Sequence, residues 1–162
     1  MTRHLVDTGI LIDHLNGRPE ARETLARLTQ ESDGLYASAV TKVEVLAGMR
    51  ASEEKATRTL FTLFRWVPLD DPIAERTGQM TREHHRRYPG IDFPDHIIAA
   101  TAETLRATTV TLNTKHFPMV DRKERPYSHG LFANGSKALT PTLSLQGEGA
   151  YCESLAPAGG EG

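Results

Sequence analysis

Four residues with oxygen-donor side chains lie far apart in the chain: Asp7, Glu44, Asp95 and Asn113. Three of them are carboxylates. Brought into one cleft, three carboxylates repel each other, which raises a pKa or destabilises the fold unless something compensates. A divalent cation resolves the conflict. Mg2+ and Mn2+ prefer oxygen ligands in octahedral shells that water and substrate phosphate often complete. The chemistry that follows is phosphodiester hydrolysis: the metal activates a water, binds a non-bridging phosphate oxygen and stabilises the charge that develops. Residue types do not decide between one ion and two. No cysteine or histidine pair stands at zinc spacing. His84 and His85 are adjacent and on a helix diverge by about 100°, so a hard metal is expected.

Each of the four also has a purely structural explanation. Asp7 directly precedes a helical pattern and fits an N-cap. Thr41-Lys42-Val43-Glu44 fits a capping box, in which Glu44 reaches back to the start of its helix. Asp95 follows Pro94 in a first helical turn, where a carboxylate interacts well with the helix dipole. Asn113 ends a strand and suits a turn. What separates the two explanations is topology.

Strand and helix patterns alternate along residues 1–120. Strands are expected over 3–6, 35–40, 66–69 and 109–112. Helices are expected over 8–15, 19–29, from 43 to 49, over 53–64, over 72–88 and over 94–105, the last being the most apolar with Ile97, Ile98, Ala99, Ala100 and Ala102. Strands separated by helices argue for an α/β fold with a central parallel sheet and helices on both faces. In such a sheet every strand leaves at the same edge and the next helix starts there. Asp7 and Glu44 follow strands, Asp95 begins a helix that runs back before the last strand, and Asn113 lies at that strand's exit. All four therefore fall on the carboxyl edge, where open α/β sheets bind ligands.

The chain has 162 residues, 38% hydrophobic and 25% charged, with a formal charge of −2. That suits one globular domain of usual size. The segment from residue 130 carries one base, Lys137, and the acids Glu148, Glu153 and Glu161, so the charges of residues 1–129 balance. A neutral body gives no bulk attraction for nucleic acid, and any RNA contact must come from local patches. Arg82, Arg86, Arg87, His84 and His85 form one such patch, which alternatively is a solvated helix face. The single cysteine, Cys152, cannot close an internal disulfide. No apolar run approaches the roughly 20 residues of a membrane span, and Asp7 interrupts the N-terminus before any stretch of signal-peptide length; a cytoplasmic protein is expected. Two regions are assigned: a domain over 1–125 and a low-complexity tail over 126–162. The tail is rich in Gly, Ser, Thr, Pro and Ala, and its leucines follow no helix or strand period. It is expected to be disordered, since it buries too little surface to offset the entropy of ordering. Its internal repetition reads as translated repetitive DNA.

Four segments, in order and at matching spacing, resemble the PIN-domain family, and VapC-type toxins in particular. They are Leu5-Val6-Asp7-Thr8-Gly9-Ile10-Leu11-Ile12, Ser38-Ala39-Val40-Thr41-Lys42-Val43-Glu44-Val45-Leu46-Ala47-Gly48, Asp95-His96-Ile97-Ile98-Ala99-Ala100-Thr101-Ala102 and Thr111-Leu112-Asn113-Thr114-Lys115-His116-Phe117. The resemblance covers roughly residues 3–120. It implies a three-layer α/β/α PIN-like fold and a Mg2+- or Mn2+-dependent endoribonuclease acting as the toxin of a toxin–antitoxin pair. It implies Asp7, Glu44 and Asp95 as metal-binding carboxylates, a cognate antitoxin, a homodimer, and transfer RNA or ribosomal RNA as substrate. Thr8 falls where the family has a small hydroxyl residue beside the first acid, there to orient a carboxylate or water; otherwise it is simply a first helical residue.

The sequence departs from the family pattern in two places. Asn113 fills the fourth acidic position and offers one neutral oxygen, so an ion there is held more weakly. The family ends soon after the last strand, near 119–125 in this numbering. Asp92 is a further acid or outer partner of the site, or the cap of its helix. The alternatives are a catalytically silent PIN-like module that binds RNA or protein, against which three intact acids argue, and a phosphotransfer or receiver fold. The hydrolase relatives of the latter need a second Asp two residues after the first, where this chain has Gly9.

Overall fold

A computed structural model describes residues 2–128. The tail assigned to 126–162 lies outside the described residues from 129 onward. Five strands form one parallel sheet in the order β3-β2-β1-β4-β5. They are β1 (Thr2–Val6), β2 (Ser32–Ser38), β3 (Phe64–Val67), β4 (Thr108–Val110) and β5 (Lys123–Glu124). The helices are α1 (Thr8–Leu15), α2 (Pro19–Glu31), α3 (Ala39–Gly48), α4 (Glu54–Phe61), α5 (Asp71–His84) and α6 (Phe93–Leu105).

The layering follows from the two-residue period of a strand. Leu5 and Val6 are neighbours on β1 and both are 0% exposed, so the central strand is covered on both faces. Val6 packs with Ile10, Leu11, Leu25, Leu28, Leu35 and Phe61, the core under α1, α2 and α4. Leu5 packs with Ile73, Met80, Ile98 and Phe117, the core under α5 and α6. The result is the expected α/β/α sandwich around a parallel sheet. Among the described residues no helix is long and apolar enough to cross a membrane.

Several boundaries differ from expectation. The second strand stops at Ser38, two residues early, and α3 starts at Ala39 rather than Val43. Ser38 is the reason: its hydroxyl accepts from the Val40 N–H and caps the helix. The helix expected over 53–64 is a short 3-10 turn (Ala51–Glu53) followed by α4, and Phe64 belongs to β3. The third strand ends at Val67 because Pro68 has no N–H for the ladder. The 72–88 helix stops at His84. The fifth strand was not expected. It is two residues long, and its neighbourhood is tied down by Lys123 Nζ donating to the carbonyls of Phe117 and Val120 at 3.0 and 3.2 Å and by the Arg27–Glu124 ion pair. Tyr127, inside the segment assigned to the tail, packs against the α1–α2 core.

Candidate active site

Asp7 leaves β1 and its N–H donates to the Val110 carbonyl at 3.0 Å, which ties it to the exit of β4. Both of its carboxylate oxygens are engaged. Oδ1 accepts from the Thr8 N–H at 2.7 Å, capping α1. Oδ2 accepts from Thr111 Oγ1 at 2.6 Å. Thr111 in turn accepts from the Asn113 N–H at 3.0 Å. Asp7 is thus a cap and also the centre of a network that joins two strand exits.

Glu44 sits inside α3. Because that helix begins at Ala39 and is capped by Ser38, Thr41 and Glu44 do not form a capping box, and the structural explanation for Glu44 falls away. Its Oε2 lies 2.5 Å from Thr8 Oγ1, which also lies 3.2 Å from the buried Thr41 hydroxyl. One hydroxyl carries one proton, so the shorter contact to the carboxylate takes it.

Asp95 is in the first turn of α6. Its N–H donates to the Asp92 carbonyl at 3.1 Å, and its Oδ2 lies 2.9 Å from His116 Nδ1. Asp92 occupies the cap position of α6 but its side chain makes no cap hydrogen bond. Asn113 is exposed at the head of a short 3-10 turn (Thr114–His116) and does not cap it with its side chain.

The acids feel one another. Burial raises the Asp7 carboxyl pKa above the ordinary range, against the hydrogen bonds from Thr111 and Thr8. Burial also raises Glu44; the bond from Thr8 opposes this, and the charges of Asp7, Asp95 and Asp92 add to it. Asp95 is pushed up to about 6 by burial and then by the charge of Asp7, with His116 opposing. Asp7, Glu44 and Asp95, with Asp92 beside them, are therefore within electrostatic reach of each other, while Asn113 stands at the rim.

Among the described residues no lysine or arginine pairs with Asp7, Glu44 or Asp95. The donor set is all carboxylate oxygen, electrostatically uncompensated except by His116, and it fits a hard divalent cation in chemistry. In arrangement the carboxylates rest on hydroxyl, amide and imidazole donors, and among the described residues no three His, Cys, Asp or Glu side chains close on one point as ligands. A bound ion therefore requires these carboxylates to draw closer together.

Sequence reasoning assigned no role to Thr111 or His116, and gave Thr41 only that of a helix cap, which Ser38 fills instead. Thr111 is separated by more than a hundred positions from the carboxylate it holds, and Thr41 by more than thirty from the hydroxyl it meets. His116 had a local signal, a basic side chain one turn after Asn113, but its partner Asp95 is on another element.

A family model described as PIN domain matches residues 4–123. Ribonuclease VapC19 of Mycobacterium tuberculosis is 38% identical over 76% of this chain and 98% of its own. Ribonuclease VapC10 of the same organism is 38% identical over 76% of this chain and 92% of its own. A chain in a solved toxin-antitoxin complex from Klebsiella pneumoniae is 32% identical, with a TM-score of 0.67 over 77% of this chain and 98% of that one.

Proposed function

The chain belongs to the PIN-domain family, and from that membership we propose that it is a metal-dependent endoribonuclease, the toxin of a toxin–antitoxin pair. The observation that carries the proposal is the gathering of Asp7, Glu44 and Asp95 from three separate elements at one sheet edge, where the charge of Asp7 raises both of the others, in a chain similar along its domain to proteins named ribonucleases.

Asp7, Glu44 and Asp95 would hold Mg2+ or Mn2+, with the neutral oxygen of Asn113 as a weaker contributor. When bound, such an ion supplies an activated water and positive charge for the phosphate. The protein's own part is positional. Thr111 and the Thr8 N–H fix the two oxygens of Asp7, the Thr8 hydroxyl fixes Glu44, and His116 fixes Asp95. Asp92, exposed beside them, adds negative charge around the site and acts as an outer partner.

The substrate is RNA, transfer or ribosomal RNA by family likeness. The partners are a cognate antitoxin and a second copy of the chain, and the compartment is the cytoplasm. The solved relative from Klebsiella pneumoniae is a toxin-antitoxin complex, which supports the antitoxin.

Purified protein incubated with total bacterial RNA and Mg2+ or Mn2+ should give discrete fragments. EDTA and Asp95→Asn should each abolish them. Intact RNA after incubation with folded, antitoxin-free protein would remove the nuclease reading in favour of a silent RNA- or protein-binding module.

A further inference from the structure

We propose that the exposed end of the α5–α6 hairpin grips single-stranded RNA beside the acids, with Arg82, Arg86 and Arg87 on phosphates and Phe93 against a base. The proposal rests on the ribonuclease reading above and deepens it.

The hairpin brings these residues to the site. Arg76 Nε and NH2 donate to the Glu103 carboxylate at 2.9 and 3.0 Å, joining the first half of α5 to the last turns of α6. The helices therefore run antiparallel, and the end of α5 meets the start of α6. The turn between them is built by backbone bonds. The N–H groups of Arg87 and Tyr88 return to the His84 carbonyl at 3.0 and 2.9 Å, and that of Ile91 to the Tyr88 carbonyl at 3.3 Å. The turn ends at Asp92, whose carbonyl takes the Asp95 N–H.

The charge at this end is open to a ligand. Arg82, Arg86 and Arg87 are exposed, and none forms an ion pair among the described residues. Glu83 between them pairs instead with Arg76 at 3.7 Å. Arg106 and Arg122 are also exposed without an ion pair among the described residues, but they stand at the other edge of the sheet, whereas three such arginines gather here within six positions. The site itself is acidic and repels phosphate, and the body of the chain is neutral. Attraction for a polyanion must then come from a local basic surface, and this cluster lies at the end of the hairpin where Asp92 and Asp95 stand. Phe93, the first residue of α6, is 57% exposed and stands two residues before Asp95. Unpaired bases stack on such exposed rings.

The test is fluorescence anisotropy of the full chain with labelled bulk bacterial transfer RNA in EDTA, with circular dichroism melts to show that each variant folds. The triple variant Arg82→Ala, Arg86→Ala, Arg87→Ala should bind at least about tenfold more weakly and flatten the slope of log affinity on log salt by about 2. The double variant Arg106→Ala, Arg122→Ala, at the opposite sheet edge, should bind within about twofold of wild type. Phe93→Ala should weaken binding about tenfold with the salt slope unchanged, and Phe93→Tyr should restore it. Wild-type affinity in the triple variant overturns the proposal. So does a triple variant that keeps RNA but loses a co-expressed antitoxin, because the surface is then a protein dock. A wild-type chain that neither binds nor cuts RNA removes the nuclease reading itself, and this inference with it.

Discussion

Thr8 Oγ1 lies 2.5 Å from Glu44 Oε2, a bond between the first residue of α1 and the interior of α3. It sets the position of Glu44 from outside its own helix. Thr8→Val keeps the shape and removes the donor, leaving a half-buried carboxylate and the Thr41 hydroxyl short of a partner. The variant should lose about 1–3 kcal/mol of stability in urea denaturation and most of its RNA cleavage. Thr8→Ser should keep both. Equal stability of the valine variant and wild type would show that the bond contributes nothing.

Thr111 does the same for Asp7 and also receives the Asn113 N–H. Thr111→Val strands two groups at once. The expected cost is again about 1–3 kcal/mol, together with a further rise in the Asp7 pKa, measurable by carboxyl-carbon NMR titration. An unchanged titration would mean that Thr111 packs without polarising the acid.

With Asp95 raised to about 6, the folded state binds a proton there more readily than the unfolded chain does. The native charge therefore costs stability at neutral pH, and that cost is relieved as pH falls towards the ordinary aspartate range. In EDTA the melting temperature should rise by a few degrees from pH 7 to pH 5, and less so in Asp95→Asn. His4 and His14, lowered by burial, work in the opposite direction, and Asp7 and Glu44, raised by burial, in the same one, so the difference between wild type and variant reports Asp95 together with its coupling to Glu44. Mg2+ should raise the melting temperature more at pH 7 than at pH 5. A melting temperature insensitive to Mg2+ at both values would argue against an ion on these carboxylates.

Tyr127 donates its hydroxyl to Asp13 Oδ2 at 3.0 Å and packs on the α1–α2 core. A chain ending after residue 125 loses this contact, whereas one ending after 128 keeps it. The shorter form should melt several degrees below the longer, on the order of 1–2 kcal/mol for one partly buried hydrogen bond and part of an aromatic ring. Equal melting curves would place the edge of the domain before Tyr127.

What the sequence made legible was what local pattern controls. Pro19 and Pro94 marked helix starts, the apolar run after Asp95 marked the most buried helix, and alternation of strand with helix put Asp7 and Asp95 on one edge. What it hid was set by distance along the chain. Ser38 looked like one more strand residue until its hydroxyl was seen to cap α3. Lys123 and Glu124 carry no strand pattern of their own and extend the sheet only because β4 offers an open edge. Thr111 and His116 look like ordinary residues, and their significance lies in which carboxylate the fold sets beside them.

β1 is covered on both faces and ends one residue before Asp7. The first acid is thus mounted on the segment whose amides should exchange slowest with solvent, since reaching them requires both helical layers to come away together. Heating should then not produce a folded but idle protein with a melted site: inactivation and global unfolding should follow a single curve.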